Sequence, residues 1–403
     1  MMRSFCVTVL AALALAANGA VVPRQAPVTP DFDAIIVGGG PAGLSALSGL
    51  ARVRRKVLLI DSGEYRNGPT RHMHDVVGFD GVTPAYFRWA ARKQISSYGT
   101  VAMTNGTVTN IVPADKQNSY FTVSAADPET GVVANVTARK VILATGLRDI
   151  LPSTPGIQES WGEGIFWCPW CDGHEHADQP LGLLGPLTDA PGAVREMVTL
   201  NSNVIAFVNG TDTPEARATT EKKSPGWETY MRIHKVAIDN RTITAITRLK
   251  EGTDGTEDPS LPTVAEHDWF RVEFAEGDPV ERAAFLASFP SEQASSVGPN
   301  LGVQLYGGRL QADPAAGLVT NVPGVYAIGD ANSDNVTNVP HALFSGKRTA
   351  VYLHVKLARE DGDKELKETA VTRRDMELEA RSLWATVNGK PGDILYAGKF
   401  DGY

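Results

Sequence analysis

Apolar residues along this chain gather into short unbroken runs that end at glycine. Ala34–Val37 runs into Gly38, and Val141–Ala144 into Thr145-Gly146; Val325–Ile328 runs into Gly329-Asp330. Unbroken runs of this length suit strands of a parallel sheet covered on both faces, where an alternating run would suit a sheet with one wet face. Leu44–Val53 is helix-like and leads to a second strand, Val57–Ile60, which ends in Asp61. Strand, glycine-rich turn, helix and strand in that order predict an α/β fold built on a doubly wound sheet.

The turn after the first strand reads Gly38-Gly39-Gly40-Pro41-Ala42-Gly43, so Gly38, Gly40 and Gly43 fit G-x-G-x-x-G in the context that gives the pattern meaning. The first glycine permits the tight turn, the second lets a pyrophosphate approach, and the third allows close helix–strand packing. The following helix turns its free N–H groups to the phosphates. Asp61, about twenty residues on, is placed for the ribose hydroxyls. Two further segments specify FAD, bound non-covalently. Thr145-Gly146 forms a small turn after a strand, and Gly329-Asp330 offers a carboxylate to the ribityl hydroxyls beside a glycine that lets the flavin pass close. Pro41, Ala42 and Asn67 complete the expected cofactor contacts.

The ends of the chain add a location. Arg3, the apolar run Cys6–Ala17 and the small residues Ala17-Asn18-Gly19-Ala20 have the three-part layout of a signal peptide, residues 1–20. Residues 21–30, with three prolines, read as an extended arm or short pro-segment. Five Asn-x-Ser/Thr sequons, at Asn105, Asn135, Asn209, Asn240 and Asn335, suit a secreted glycoprotein. No later segment approaches membrane-spanning length. Of 403 residues, 42% are hydrophobic and 21% charged, as in ordinary soluble domains, and the net charge of −8 argues against nucleic acid as a partner.

Cysteine usage carries the chemistry. The chain has three cysteines; Cys6 lies in the signal peptide, which leaves Cys168-Pro169-Trp170-Cys171. That spacing lets one thiolate attack a disulfide or thiol adduct while the other resolves it. A purely structural disulfide here would close a tiny loop and stabilise little. A zinc site needs two more ligands at finger-like spacing; His174 and His176 follow too closely, so no metal is expected.

The order glycine fingerprint, Ala-Thr-Gly, Cys-x-x-Cys, Gly-Asp resembles the low-molecular-weight thioredoxin reductase family over residues 31–358. The resemblance implies two Rossmann-like domains. One is an FAD-binding domain built from 31–150 and 291–357, the other a central dithiol domain over 151–290. A charged, helix-prone tail, 358–403, lies beyond it, and a homodimer is the expected assembly. It also implies that Cys171 is the sulfur near the flavin, Cys168 the one exchanging with substrate, and Asp172 a proton donor or acceptor.

A reductase of that family needs a second dinucleotide fingerprint after the cysteines. Pro180–Gly185 reads as the equivalent strand, but Pro186-Leu187-Thr188-Asp189-Ala190-Pro191 follows, without the glycines and with two prolines that remove N–H groups. The strand Val204–Val208 ends in Asn209-Gly210-Thr211 in place of the arginines that hold a 2′-phosphate in the family, and Val339-Pro340 replace its usual Arg-Gln. No NADPH is therefore expected. Electrons would run from a substrate dithiol to Cys168–Cys171, to FAD and to molecular oxygen, giving hydrogen peroxide, an arrangement that resembles the fungal secreted sulfhydryl oxidases and gliotoxin-type dithiol oxidases. Small-molecule or peptide thiols and oxygen are the expected partners. Asp172, His341 and His174 are the acid–base candidates. An NADPH-dependent disulfide reductase and a non-catalytic flavin carrier are the rival readings.

Overall fold

The computed structural model describes residues 29–256, 258, 260, 265–368, 373–389 and 391. The expected signal peptide, almost all of the expected 21–30 arm and the aromatic end Tyr396–Tyr403 lie outside the described residues. The strand Phe32–Val37 (β1) leads to the helix Pro41–Arg52 (α1) and the strand Val57–Asp61 (β2). The helix Pro84–Ile95 (α2) and the strands Val101–Asn105 (β3), Thr107–Pro113 (β4), Phe121–Ala126 (β5) and Val133–Leu143 (β6) follow.

β3, β2, β1, β6 and the late strand Val325–Ala327 lie side by side in parallel. Alternate residues of β1 face opposite layers. Ala34 and Ile36 pack with α1 and the long helix Val339–Glu368, whereas Ile35 and Val37 pack toward β4 and β5. Both faces are covered, which is why the run carries no polar positions. β6 serves two partners: residues 133–138 pair antiparallel with β5, and 138–143 pair parallel with β1. The sequence reading caught only its apolar C-terminal half, because the rest is an exposed meander strand of ordinary composition.

α1 and the helix Val339–Glu368 cross closely at small residues. A Cβ on Gly346 would lie 2.2 Å from the Ala42 carbonyl oxygen, and one on Gly49 would lie 2.6 Å from the Ala350 Cβ. That helix begins at the Asn338 side chain, which accepts from the His341 N–H, and runs unbroken through residue 357, the expected end of the domain.

The second sheet is parallel throughout, in the order Ala237–Asp239, Val204–Phe207, Leu181–Leu184, Ala284–Ala287, Ile165–Phe166. It sits inside the first unit's sequence, so the chain forms two Rossmann-like domains with the fingerprint domain discontinuous. The chain crosses between them twice, and the crossings pair: Leu147–Asp149 is antiparallel to Ser291–Gln293. No helix among the described residues is long and apolar enough to cross a membrane.

Candidate active site

The three fingerprint glycines divide their duties by geometry. Gly38 has φ +110°, and a Cβ there would lie 2.3 Å from the Ala144 carbonyl oxygen; a Cβ on helical Gly43 would lie 2.0 Å from the Gly38 oxygen. Both hold the backbone together. A Cβ on Gly40 would meet nothing within 4 Å, so beside the α1 N-terminus there is open space where Pro41 opens the helix and Ala42 begins its buried face. A pyrophosphate fits that cradle. The Thr145 hydroxyl is buried without a partner and Gly146 has φ +67°, leaving a free polar group in the turn after β6. Gly329, at φ +65°, is held by the Ser345 hydroxyl, and burial pushes the Asp330 carboxyl up although Arg66 donates to it. These features fit FAD.

Asp61 has partners that the sequence did not suggest. Its carboxylate accepts from the Gly39 and Gly63 N–H groups at 3.1 Å, from the Tyr65 hydroxyl at 2.5 Å, and from Arg92. Its acceptor positions are spent on holding the turn, so a ribose there must displace Tyr65 or Arg92. Asn67 is half-buried, and its carbonyl accepts from the Thr70 hydroxyl.

Cys168 and Cys171 form a disulfide around the short helix Pro169–Asp172. Trp170 stands 69% exposed beside them. Trp167 stacks on Trp161 at 4.9 Å, and the Arg66 guanidinium lies 5.4 Å from its ring. Arg66 also grips Asp149 on the crossover strand, at 2.6 and 3.0 Å, so it ties the cofactor-side aspartate to the interdomain connection and the dithiol's neighbour.

Asp172 sits with one carboxyl oxygen buried and unpartnered. Burial, then the nearby Glu266 and Glu175, push it well above the usual carboxylate range, with Arg71 opposing. These surroundings favour its protonated form. Around it stands a cluster that the sequence did not suggest. His74 Nε2 lies 3.5 Å from Glu175, His72 Nδ1 lies 3.5 Å from Glu266, and His176 Nε2 lies 3.7 Å from Glu266. Arg71 bonds Glu266 and Asp268, and Arg248 also bonds Asp268. Burial would raise the Glu266 carboxyl, but His72, Arg71 and His176 outweigh it and hold it at about 2. Burial lowers His176. The sequence signal was His72-x-His74 and Glu175-His176 beside the dithiol; Glu266 and Asp268 come from a distant loop and gave none. His176, Glu266 and Asp268 have donor atoms within 4.8 Å of one another, as a metal would need, but both carboxylates already hold guanidinium groups.

The other acid–base candidates have their own surroundings. His341 Nε2 pairs with Asp334 at 2.6 Å, and His174 is exposed. At the expected second nucleotide site three N–H groups of the turn are spent. Leu187 N–H donates to the Thr211 hydroxyl, Asp189 N–H to the Pro186 carbonyl, and Ala190 N–H to the Leu187 carbonyl. A crevice of about 370 Å³ remains, lined by Trp167, Leu184, Pro186, Asp189, Glu196 and Lys223, with Asp189 bound to Lys223. Asp212 and Glu228 hold Arg217, just beyond the next strand. All five sequon asparagines, Asn105, Asn135, Asn209, Asn240 and Asn335, are exposed.

Residues 32–198 match the pyridine nucleotide-disulphide oxidoreductase family. A protein of Arthroderma benhamiae named "Probable thioredoxin reductase" is 44% identical over 369 residues, covering 90% of this chain and 89% of that one. "Thioredoxin reductase tcpT" of Claviceps purpurea is 34% identical, covering 78% and 90%. Among solved structures, that of HlmI superposes with a TM-score of 0.68 at 29% identity, covering 84% of this chain and 96% of the other.

Proposed function

The chain belongs to the thioredoxin-reductase-like FAD oxidoreductases, and from that premise we propose that it is a secreted thiol oxidase, with oxygen in place of a nicotinamide as the redox partner. The observation that carries this reading is the pairing of the dithiol with a second-site turn in which two residues lack an N–H and three more N–H groups are spent within the protein. Pro186 and Pro191 have none, and those of Leu187, Asp189 and Ala190 bond within the protein. Binding NADPH there would mean breaking those bonds and placing phosphates beside Asp189 and Glu196.

Gly38, Gly40, Gly43, Thr145 and Asp330 would hold the FAD. When bound, FAD supplies the two-electron acceptor for the dithiol and the site of reoxidation by oxygen, with release of hydrogen peroxide. Cys168, beside exposed Trp170, meets the substrate thiolate, and the S–S bond to Cys171 breaks as a mixed disulfide forms. The second substrate thiol then displaces Cys168 and leaves as the product disulfide. Asp172, whose burial favours its protonated form, is the group beside Cys171 suited to give a proton to the departing enzyme sulfur. The signal-peptide layout and the exposure of the five sequon asparagines support secretion and glycosylation.

Rapid mixing under argon tests the reading. A dithiol such as dithiothreitol should bleach the flavin, and admitting oxygen should restore it with about one peroxide per disulfide. Fast bleaching by NADPH, as the names of the relatives would suggest, would return the protein to the reductases.

A further inference from the structure

One guanidinium meets the flavin-side aspartate, the crossover strand and the neighbour of the dithiol. Arg66 Nη1 donates to Asp330 at 3.1 Å, while its Nε and Nη2 donate to the two oxygens of Asp149 at 3.0 and 2.6 Å. The ring of Trp167, which Cys168 follows directly, lies 5.4 Å from the same group. Trp167 stacks on Trp161, and Trp161 packs against Phe289 at 5.6 Å, where the chain is about to return to the fingerprint domain. Asp149 pairs with Ser291 across the two crossings. The Arg66 side chain is 15% exposed and that of Asp149 5%, so both are largely shut off from water.

The surroundings of Asp330 leave its carboxylate dependent on that group. Burial raises the carboxyl and the like charge of Asp149 adds to this, while Arg66 opposes both through its charge and its hydrogen bond. Arg309 is a second cation near it, but its hydrogen bond, at 2.7 Å, goes to the Asp330 backbone carbonyl, and it also feels Asp334. The residues on either side are pinned: Gly329 N–H donates to the Ser345 hydroxyl, and the Ala331 carbonyl accepts from Gln293. An ionised carboxylate offers only acceptors, the form that suits the ribityl hydroxyls, whereas the protonated acid gives up acceptor positions. Arg66 thus both aims Asp330 and favours its charged form.

We propose that Arg66 is a positioning residue that couples FAD binding to the seating of the dithiol, because the side chain that aims Asp330 at the cofactor also holds Trp167, and with it Cys168, against the crossover. The proposal does not depend on which acceptor reoxidises the flavin. Linkage makes the coupling reciprocal, so a change at Trp167 that frees Arg66 alters the hold on FAD from the other domain. Arginine suits the task where lysine does not. Its planar fork grips Asp149 with two N–H groups and keeps a third for Asp330, whereas an ammonium is a single point on a flexible stem. Arg66 acts on the cofactor through Asp330 and on the sulfurs through Trp167.

The test uses the full FAD-loaded protein, without thiol or turnover, and follows FAD release on dilution by the rise in flavin fluorescence across pH 5 to 8. Arg66→Met should speed release by roughly tenfold or more at pH 7, the scale of a lost charge-assisted hydrogen bond. The excess over wild type should grow as pH falls, because Asp330 without its guanidinium takes up a proton at a higher pH. Arg66→Lys should restore part of the retention and of the wild-type pH profile. Trp167→Leu, a change in the central domain, should speed release by about threefold, and adding it to Arg66→Met should have no further effect. Wild-type release from Trp167→Leu, or effects that simply multiply in the double variant, would overturn the coupling. A speed-up in Arg66→Met that is the same at every pH would overturn the hold on Asp330 and the proposal with it. If Arg66→Met fails to fold, the same cycle run with Arg66→Lys and Trp167→Leu decides.

Discussion

Gly40→Val separates the cofactor cradle from the fold. Gly40 has φ −70° and ψ −178°, an extended conformation that valine adopts without strain, and a Cβ there meets nothing within 4 Å. The variant apoprotein should therefore melt within a few degrees of wild type. With FAD present, the two valine methyl groups stand where the pyrophosphate approaches the α1 N-terminus. Pushing the phosphates out of reach of two N–H donors removes two charge-assisted hydrogen bonds, each worth roughly 1.5–3 kcal/mol. The summed loss of about 3–6 kcal/mol corresponds to weaker binding by roughly two to four orders of magnitude. The assay is fluorescence titration of apoprotein with FAD, together with flavin content as purified. Gly43→Ala is the contrast: its methyl would lie 2.0 Å from the Gly38 oxygen, so it should unsettle the protein itself. FAD affinity within threefold of wild type in Gly40→Val would refute the placement of the phosphates.

Other outcomes follow from the same geometry. Cys171→Ser should abolish thiol oxidation and any long-wavelength thiolate–flavin band, while Cys168→Ser keeps the band; identical spectra would reverse or erase the assignment of the two sulfurs. Because the folded Asp172 binds its proton more tightly than the unfolded chain, stability is lost as pH rises from the ordinary value of 3.8 through the raised folded value. Urea midpoints of Asp172→Asn should lack that decline, and parallel curves would show that Asp172 is not held protonated. Glu266 works in the opposite sense: held at about 2 against an ordinary 4.5, it contributes about 3 kcal/mol that disappears as pH falls across that window, so Glu266→Gln should flatten acid unfolding there. Arg71→Met leaves Asp268 and Glu266 facing each other with one cation fewer, and should cost about 3–5 kcal/mol by thermal or urea unfolding.

The nucleotide fold was legible because each piece of it is local. Ala34–Val37, three glycines and a helix lie within twenty residues, and their burial on both faces writes itself as an unbroken apolar run. The two prolines in the six-residue turn after Gly185 were legible for the same reason, since each reports its missing N–H directly. The surroundings of Asp172 were not, because Arg71–His74, Glu175–His176 and Glu266–Asp268 come from three separate stretches of chain and meet only in the fold. Polar residues in loops read as solvent-facing until tertiary structure buries them. Asp61 shows the complementary limit: its place at the strand end was right, but spacing alone does not reveal that Tyr65 and Arg92 occupy its lone pairs.

One loop accounts for much of how the two domains act together. Between β2 and α2 the chain sends Arg66 to Asp149 and Asp330, Arg71 to Asp268 and Glu266, and His72 and His74 to Glu266 and Glu175. Every one of those partners except Asp330 belongs to the crossover strand or the central domain. Isolated surface ion pairs contribute little, but the Arg66 and Arg71 side chains are only 15% and 10% exposed, and each has at least two carboxylates. Rotating the central domain away would break those pairs and expose their charges to water. The dithiol is thus held in one orientation against the fingerprint domain by the same residues that surround its acid. A protein that takes electrons from thiols and hands them onward within one arrangement gains from that rigidity. One that needed its central domain to move between two nucleotide sites would lose by it. The buried cluster and the proline-bearing second-site turn are independent features of the chain, and both support the proposed electron flow from the dithiol to FAD and oxygen.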